Sequence, residues 1–279
     1  MATSTGPLLE GKVGIVTGGG GGLGRGIGQA FAAQGAAVVI AEIDHDRAAS
    51  AVAEISDAGG QATAVVVDVV DPLAPGQVVS TALATYGQID VLVNNVGHYL
   101  FPGKPFYEST EEEWDALYRI NVLHVLRMTR AALAPMIERN AGGSIINLST
   151  VEAFRGIPHQ AVYGAFKAAV AHFSTCLALD VGRYNIRVNG IAPDVSRSEQ
   201  LPYDRWLRPE DWEKVPDWVP LGRLGAPDDA GAVAVFLASD LSSFVTGDTI
   251  HLDGGTRAAG GWYRSRRRDG GWTNRPYDA

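Results

Sequence analysis

Lys12-Val13-Gly14-Ile15-Val16-Thr17-Gly18-Gly19-Gly20-Gly21-Gly22-Leu23-Gly24 is the stretch whose reading decides the fold. Its first six residues form a short run rich in Val and Ile, as in a strand covered on both faces. Five glycines follow in a row, and then a longer stretch, 23–34, with helical periodicity. Glycines in that position permit a tight turn and let backbone N–H groups approach a pyrophosphate closely. The start of the helix adds its partial positive charge. A glycine-rich loop alone also reads as a flexible turn; the strand before it and the helix after it are the context that a phosphate cradle requires. Gly18, Gly22, Leu23 and Gly24 are the candidate cradle residues.

Outward from this unit the pattern repeats. Apolar runs suited to strands fall at 12–17, 37–41, 64–68, 91–94, 144–148, 187–191 and 249–252. Helical stretches fall at 23–34, 46–58, 78–86, 111–138, 161–181 and 228–238. Alternation of this kind forces parallel pairing through right-handed crossovers. The expected fold is α/β: a doubly wound, Rossmann-type parallel sheet of about seven strands in a single domain spanning 1–255. Its ligands belong at the carboxyl ends of the strands. Residues 194–223 hold several prolines and three tryptophans and read as an insertion before the last helix. Residues 256–279 form an extension with its own character.

Composition narrows the function. The chain has 279 residues, 46% of them hydrophobic, and a formal net charge of −8. An acidic protein has no general attraction for nucleic acid. The single cysteine, Cys176, excludes an internal disulfide and a thiolate zinc site; it is expected to pack as a small hydrophobe. No metal site is expected. The start lacks the basic flank and apolar core of a signal peptide, and no run of about 18–20 apolar residues stands out. The expectation is a soluble, cytoplasmic protein with no membrane partner.

The strand ends carry chemistry. Glu42 closes the second strand, where a carboxylate accepts hydrogen bonds from adenosine ribose hydroxyls and repels a 2′-phosphate. No Arg or Lys lies in the loop up to Gly24, and Arg25 falls on the first helical turn. NAD is therefore expected as cofactor, with NADP less favoured. Asp68 and Val69 end the third strand, where the Asp side chain can reach an adenine amino group. The fourth ends in Asn94-Asn95-Val96-Gly97. Its two amides can bridge neighbouring strands, and Gly97 leaves room for a cofactor; either feature alone is also a turn signal.

Tyr163 and Lys167 stand four apart on an expected helix, which puts both on one face. An ammonium beside a phenol favours the phenolate, so the Tyr pKa should fall toward working pH. Such a Tyr can take a proton from an alcohol or give one to a ketone. Order along the chain adds weight: the Gly loop, the Asn94–Gly97 strand end, Asn121 in a helix, hydroxyls after the strand at 144–148, then Tyr163 and Lys167. With Pro193 and the closing Val245-Thr246-Gly247 and Asp253-Gly254-Gly255, this series resembles the short-chain dehydrogenase/reductase family from about residue 9 to 255.

The resemblance implies roles. Tyr163 is the general acid/base. Lys167 holds the nicotinamide ribose and lowers the Tyr163 pKa. Asn121 holds a water that links Lys167 to solvent. Pro193 and Val195 lie against the nicotinamide. The family's substrate-binding Ser usually sits thirteen positions before the Tyr, which here is Thr150; neighbours on an extended strand end face opposite ways, so Ser149 should face away. Two further departures are Asp194, where Gly is usual after Pro193, and Phe166, where a small residue is usual before the Lys. The insertion is expected to lid the substrate. Trp206, Trp212 and Trp218 from it, together with His98-Tyr99-Leu100-Phe101, would form a wall suited to a hydrophobic secondary alcohol or ketone. Glu152 is placed to bond a second substrate hydroxyl or to cap the next turn. The tail, with Trp262, Tyr263, Trp272 and Tyr277 among Arg264, Arg266, Arg267 and Arg268, is expected to dock on the body or on a neighbouring subunit of a homotetramer. Two rival readings remain: an NADPH-dependent carbonyl reductase of the 3-oxoacyl type, and a catalytically silent dinucleotide-binding regulator.

Overall fold

The computed structural model describes residues 6–198, 201–265 and 271–273. Seven parallel strands form the sheet: β1 (Val13–Thr17), β2 (Ala37–Glu42), β3 (Gln61–Val66), β4 (Val91–Asn94), β5 (Gly143–Leu148), β6 (Ile186–Pro193) and β7 (Thr249–Leu252). They lie in the order β3-β2-β1-β4-β5-β6-β7. The order reverses between β1 and β4, and a doubly wound sheet opens its ligand crevice at such a switch. The central strands are buried along their whole length, which is why they read as unbroken apolar runs.

Helices cover both faces. α1 (Gly22–Ala33), α2 (His45–Asp57) and α3 (Ala74–Tyr86) follow the first three strands. α4 (Glu111–Tyr118) and α5 (His124–Arg139) precede β5; α6 (Ala161–Val181) precedes β6. α7 (Tyr203–Trp206) and α8 (Val215–Trp218) belong to the insertion, and α9 (Pro227–Ala238) precedes β7. α1 and α9 bury Ile27, Phe31, Ala234 and Leu237 against one face of the sheet. Met128, Met136, Ala178 and Val181 of α5 and α6 fill the other.

Four expectations shift. β3 runs from Gln61 to Val66 rather than 64–68, because it is the edge strand and its outward side chains are polar or half-exposed. The helix expected over 111–138 is two helices joined by a π turn, Arg119–Leu123. α6, extended by the turn after it, has mean hydropathy 1.3 and is long and apolar enough to cross a membrane by length and composition. One side of it is core, while the other leaves Leu179 85% exposed. Cys176 lies on that outer side, 3.6 Å from His172, and is not packed away.

The insertion has a small core of its own, Val195, Val215, Val219 and Leu224, with Tyr203, Leu207 and Trp212 against it. Beyond β7, α10 (Thr256–Ala259) leads to a two-stranded hairpin of β8 (Tyr263–Arg264) and β9 (Trp272–Thr273). β8 lies against α8. Ser265 and Thr273 are buried there, whereas Trp262 and Trp272 stay about half-exposed. Arg266, Arg267, Arg268 and Tyr277 fall outside the described residues.

Candidate active site

A cleft of about 810 Å³ opens at the carboxyl ends of the strands. Its floor starts at the glycine loop. Gly18 has φ +63°, in the left-handed region that favours glycine. A Cβ on Gly24 would stand 2.2 Å from the Gly18 carbonyl oxygen, so helix and loop meet as closely as they do only because position 24 is bare. No side chain caps the start of α1 at Gly21, and its first turn holds no acidic residue. Its leading N–H groups thus open into the cleft beside Gly21, Gly22 and Leu23, a cradle fit for a phosphate.

At the end of β2, the buried Glu42 carboxylate accepts from Gly20 N at 3.1 Å, Ile43 N at 3.0 Å, Asp44 N at 3.2 Å and Arg47 Nη2 at 3.2 Å. The paired amides of β4 bridge strands as their spacing suggested. Asn94 Nδ2 donates to Asn147 Oδ1 at 2.8 Å, and Asn95 Nδ2 to the Thr17 carbonyl at 2.9 Å. A Cβ on Gly97 would lie 2.6 Å from Lys167 Nζ, so this glycine keeps the lysine end of the cleft open.

Tyr163 and Lys167 rise from α6. Lys167 is buried and donates from Nζ to the Leu148 carbonyl at 2.8 Å. Burial alone holds its ammonium down to about 8. Tyr163 goes the other way from the expectation. Burial pushes its phenol up, and the nearby Glu152 and Tyr99 add to the rise. The lysine charge is spent on the Leu148 carbonyl, so desolvation decides the phenol. Ser149 Oγ donates to the Lys167 carbonyl at 2.9 Å and is buried under α6. Thr150 Oγ1 lies at the cleft, donating to the Pro193 carbonyl at 3.2 Å. Asn121 sits in the π turn with its side chain fully used: Oδ1 accepts from His98 N, and Nδ2 donates to the carbonyls of His98 and Leu117. It thereby fixes the β4 loop at the cleft edge.

The family model described as enoyl-(acyl carrier protein) reductase matches residues 18–257. A 3-oxoacyl-(acyl-carrier-protein) reductase of Chlamydia muridarum is 38% identical over 249 residues, 89% of this chain and 98% of that protein. A sorbitol dehydrogenase of Cereibacter sphaeroides is 36% identical, over 88% and 98%. The solved structure of a 7α-hydroxysteroid dehydrogenase with NADH and 7-oxo glycochenodeoxycholic acid superimposes with a TM-score of 0.84 at 33% identity, covering 91% of this chain and 98% of that one. This chain is a short-chain dehydrogenase/reductase.

The cleft of this dehydrogenase/reductase gathers Gly18, Gly22, Leu23, Glu42, Asn95, Gly97, His98, Thr150, Glu152, Tyr163, Lys167 and Pro193 on one surface. Gly24 and Asn121 support it from beneath. Four expected residues lie off it. Asp68 turns its carboxylate to Val70 N at 2.9 Å, capping the turn after β3, and Val69 is buried beside it. Val195 joins the insertion's own core. Trp206 is half-exposed and packs edge-on against Tyr203, 5.9 Å between ring centres; α7 presents Tyr203 to the cleft instead. Tyr99 and Leu100 line it with His98 as expected, whereas Ile157, Leu201 and Tyr203 are lining residues that the sequence did not single out. The one signal for Tyr203 was the aromatic density of the insertion. His98 accepts from Leu100 N at Nδ1 (2.7 Å), and burial lowers its pKa, so it faces the cleft as a neutral ring.

Proposed function

We propose that this enzyme moves a hydride between NAD and a secondary alcohol or its ketone. The observation that carries the reading is convergence: the glycine cradle, Glu42, Thr150, Tyr163 and Lys167 all meet in one cleft. NAD fits the residues present. The uncapped start of α1 at Gly18, Gly22, Leu23 and Gly24 takes the pyrophosphate. Glu42 would take the ribose hydroxyls, and Asn95, Gly97 and Pro193, which line the cleft, would border the nicotinamide. Bound there, the nicotinamide supplies or accepts the hydride.

The protein handles the proton. Thr150 holds the substrate oxygen with its hydroxyl. Tyr163 takes the proton as the alcohol becomes a carbonyl, and returns it in the opposite direction. Lys167, one turn along α6, sets a positive charge beneath the site and favours the phenolate once its ammonium turns to the ribose and phenol. Asn121, its side chain taken up by His98 and Leu117, would hold through its backbone the water that leads protons from Lys167 to solvent. Tyr99, Leu100, Ile157, Leu201 and Tyr203 offer an apolar wall for a cyclic or aliphatic framework. The enzyme works as a cytoplasmic homotetramer; the exposed apolar residues Leu179 on α6 and Phe244 before β7 support an assembly, and sedimentation reads it.

A second reading, an NADP-dependent reductase of 3-oxoacyl substrates, draws on the 38% identity to the Chlamydia protein and on Arg47 beside Glu42. Calorimetric titration with both cofactors decides between them. NAD should bind at least ~10-fold tighter, about 1.4 kcal/mol. Equal affinities overturn the role given to Glu42, and failure to turn over any alcohol or ketone with either cofactor overturns the reaction.

A further inference from the structure

Three charged residues gather at the reacting end of the cleft without a part in the proton transfer. Glu152 follows Thr150 in the short turn Val151–Ala153, and Asp194 follows Pro193; both line the cleft with Tyr163. Arg155 stands behind them, off the lining. It donates from Nη2 to Glu152 Oε1 at 2.9 Å, from Nε to Glu152 Oε2 at 3.3 Å, and from Nη2 to Asp194 Oδ2 at 2.8 Å. Thr256 Oγ1 donates to the same Asp194 oxygen. The cluster thus joins the turn after β5, the end of β6 and the segment after β7.

This arrangement fixes two carboxylates and balances part of their charge from the rear. It does not use up their acceptors. A carboxylate offers about four lone-pair sites; Glu152 spends two on Arg155, and Asp194 Oδ1 takes no hydrogen bond among the described residues. Among the described residues, the cations that line the cleft are Lys167, one turn from Tyr163 with its Nζ on the Leu148 carbonyl, and Arg47 on Glu42 at the far end. A substrate at Thr150 and Tyr163 therefore meets two anchored anionic acceptors, while Lys167, the lining cation at this end among the described residues, is tied to the Leu148 carbonyl.

We propose that Glu152 and Asp194 select a neutral diol or polyol, whose second hydroxyl, on a carbon near the one that reacts, donates to Glu152. The proposal rests on the alcohol–ketone reading above and adds the substrate class. A hydroxyl donating to an ionised acceptor makes one of the stronger hydrogen bonds available. A substrate carboxylate in its place meets like charge, and Arg155, the cation beside Glu152, is already engaged by both carboxylates. Asp194, which departs from the family's usual glycine, gains a purpose: with Arg155 it sets the position of Glu152 and the sign of the pocket.

Three probes on one ring test this: cyclohexanol, trans-cyclohexane-1,2-diol and trans-2-hydroxycyclohexane-1-carboxylate. They are assayed with each cofactor on wild type, Glu152→Leu and Glu152→Gln. In wild type, kcat/KM for the diol should exceed that for cyclohexanol by at least ~10-fold, and the carboxylate should fall at least ~10-fold below it. Glu152→Leu should bring the diol-to-cyclohexanol ratio close to one. Glu152→Gln, which keeps an acceptor and drops the charge, should keep part of the diol preference and raise the carboxylate-to-cyclohexanol ratio. Ratios within one variant cancel any general loss of active protein, and the Gln variant carries the test if the Leu variant does not fold. A flat diol ratio in wild type, or one unmoved by Glu152→Leu, overturns the selection and leaves the reaction standing. No turnover of any probe or its ketone with either cofactor brings down the reaction and the selection together.

Discussion

At the β2 end of the cleft the Glu42 carboxylate takes four hydrogen bonds from its own chain. At the α6 end the Tyr163 hydroxyl takes none among the described residues, and burial drives both its phenol and the Lys167 ammonium toward their neutral forms. The first end is finished before any ligand arrives. Its carboxylate is already desolvated and oriented, so binding there needs little reorganisation. The second end is left short of partners. Its groups sit in low dielectric, where a new charge or hydrogen bond counts for more than it does in water. One end is built to hold, the other to respond.

The largest effect that can break this contrast is at Tyr163. Tyr163→Phe keeps the ring and removes the proton carrier, and turnover should fall by roughly 10²–10⁴-fold. NAD affinity, read by fluorescence titration, should change little, because the holding end is untouched. Retained turnover would show that proton transfer does not run through α6. A parallel loss of cofactor binding would show that the two ends are not separable.

The neighbouring hydroxyls sharpen the contrast further. Thr150→Ala should lower kcat by an amount near the 2.7–4 kcal/mol that loss of one donor to a developing oxyanion typically costs, roughly 10²–10³-fold. Ser149→Ala should act on stability instead. It deletes a buried hydrogen bond to the Lys167 carbonyl, and about 1 kcal/mol should appear in denaturant unfolding with kcat largely kept. An inactive Ser149→Ala beside an active Thr150→Ala would reverse the register at the end of β5.

The expected register rests on spacing and strand alternation, signals that a sequence carries; Ser149 and Thr150 both line the cleft, and the two variants decide between them. The sheet was legible for a related reason: strands covered on both faces, such as β1 and β4, must be apolar throughout. β3 was misjudged at both ends because an edge strand, half-exposed, lacks that signature. The π turn at Asn121 left no mark, since neither Pro nor Gly stands in Arg119–Leu123. The ion cluster was hidden by distance. Asp194 was visible as a departure, but its partners lie 39 residues before it and 62 after it. Trp206 was named with the insertion's other tryptophans, and a helix of four residues gives no periodicity that would have pointed to Tyr203 as the inward residue.

His124, which the sequence did not single out, supplies the last test. This histidine, three residues after the buried Asn121, is fully buried at the start of α5. Neither ring nitrogen makes a well-formed hydrogen bond among the described residues. Burial, with the nearby Lys167 charge, holds its pKa down to about 4, and the backbone of Ile120 and Val96 eases the shift only in part. It belongs to the responsive end of the molecule, one layer behind the lysine. The folded pKa lies below the ordinary value of 6.5. The unfolded chain therefore binds the extra proton between about pH 6.5 and 4, and the folded chain does not. Stability present above pH 6.5 is lost as pH falls through that window, by on the order of 3 kcal/mol in full. Carboxylates titrate over the same range, so the measurement is a difference: urea unfolding from pH 7 to 4.5 for wild type and His124→Leu. The wild type should lose about 2–3 kcal/mol more than the variant over that interval. Parallel curves would mean that His124 gains a proton or a partner in the folded state, and that the region behind Lys167 is better satisfied than its geometry shows.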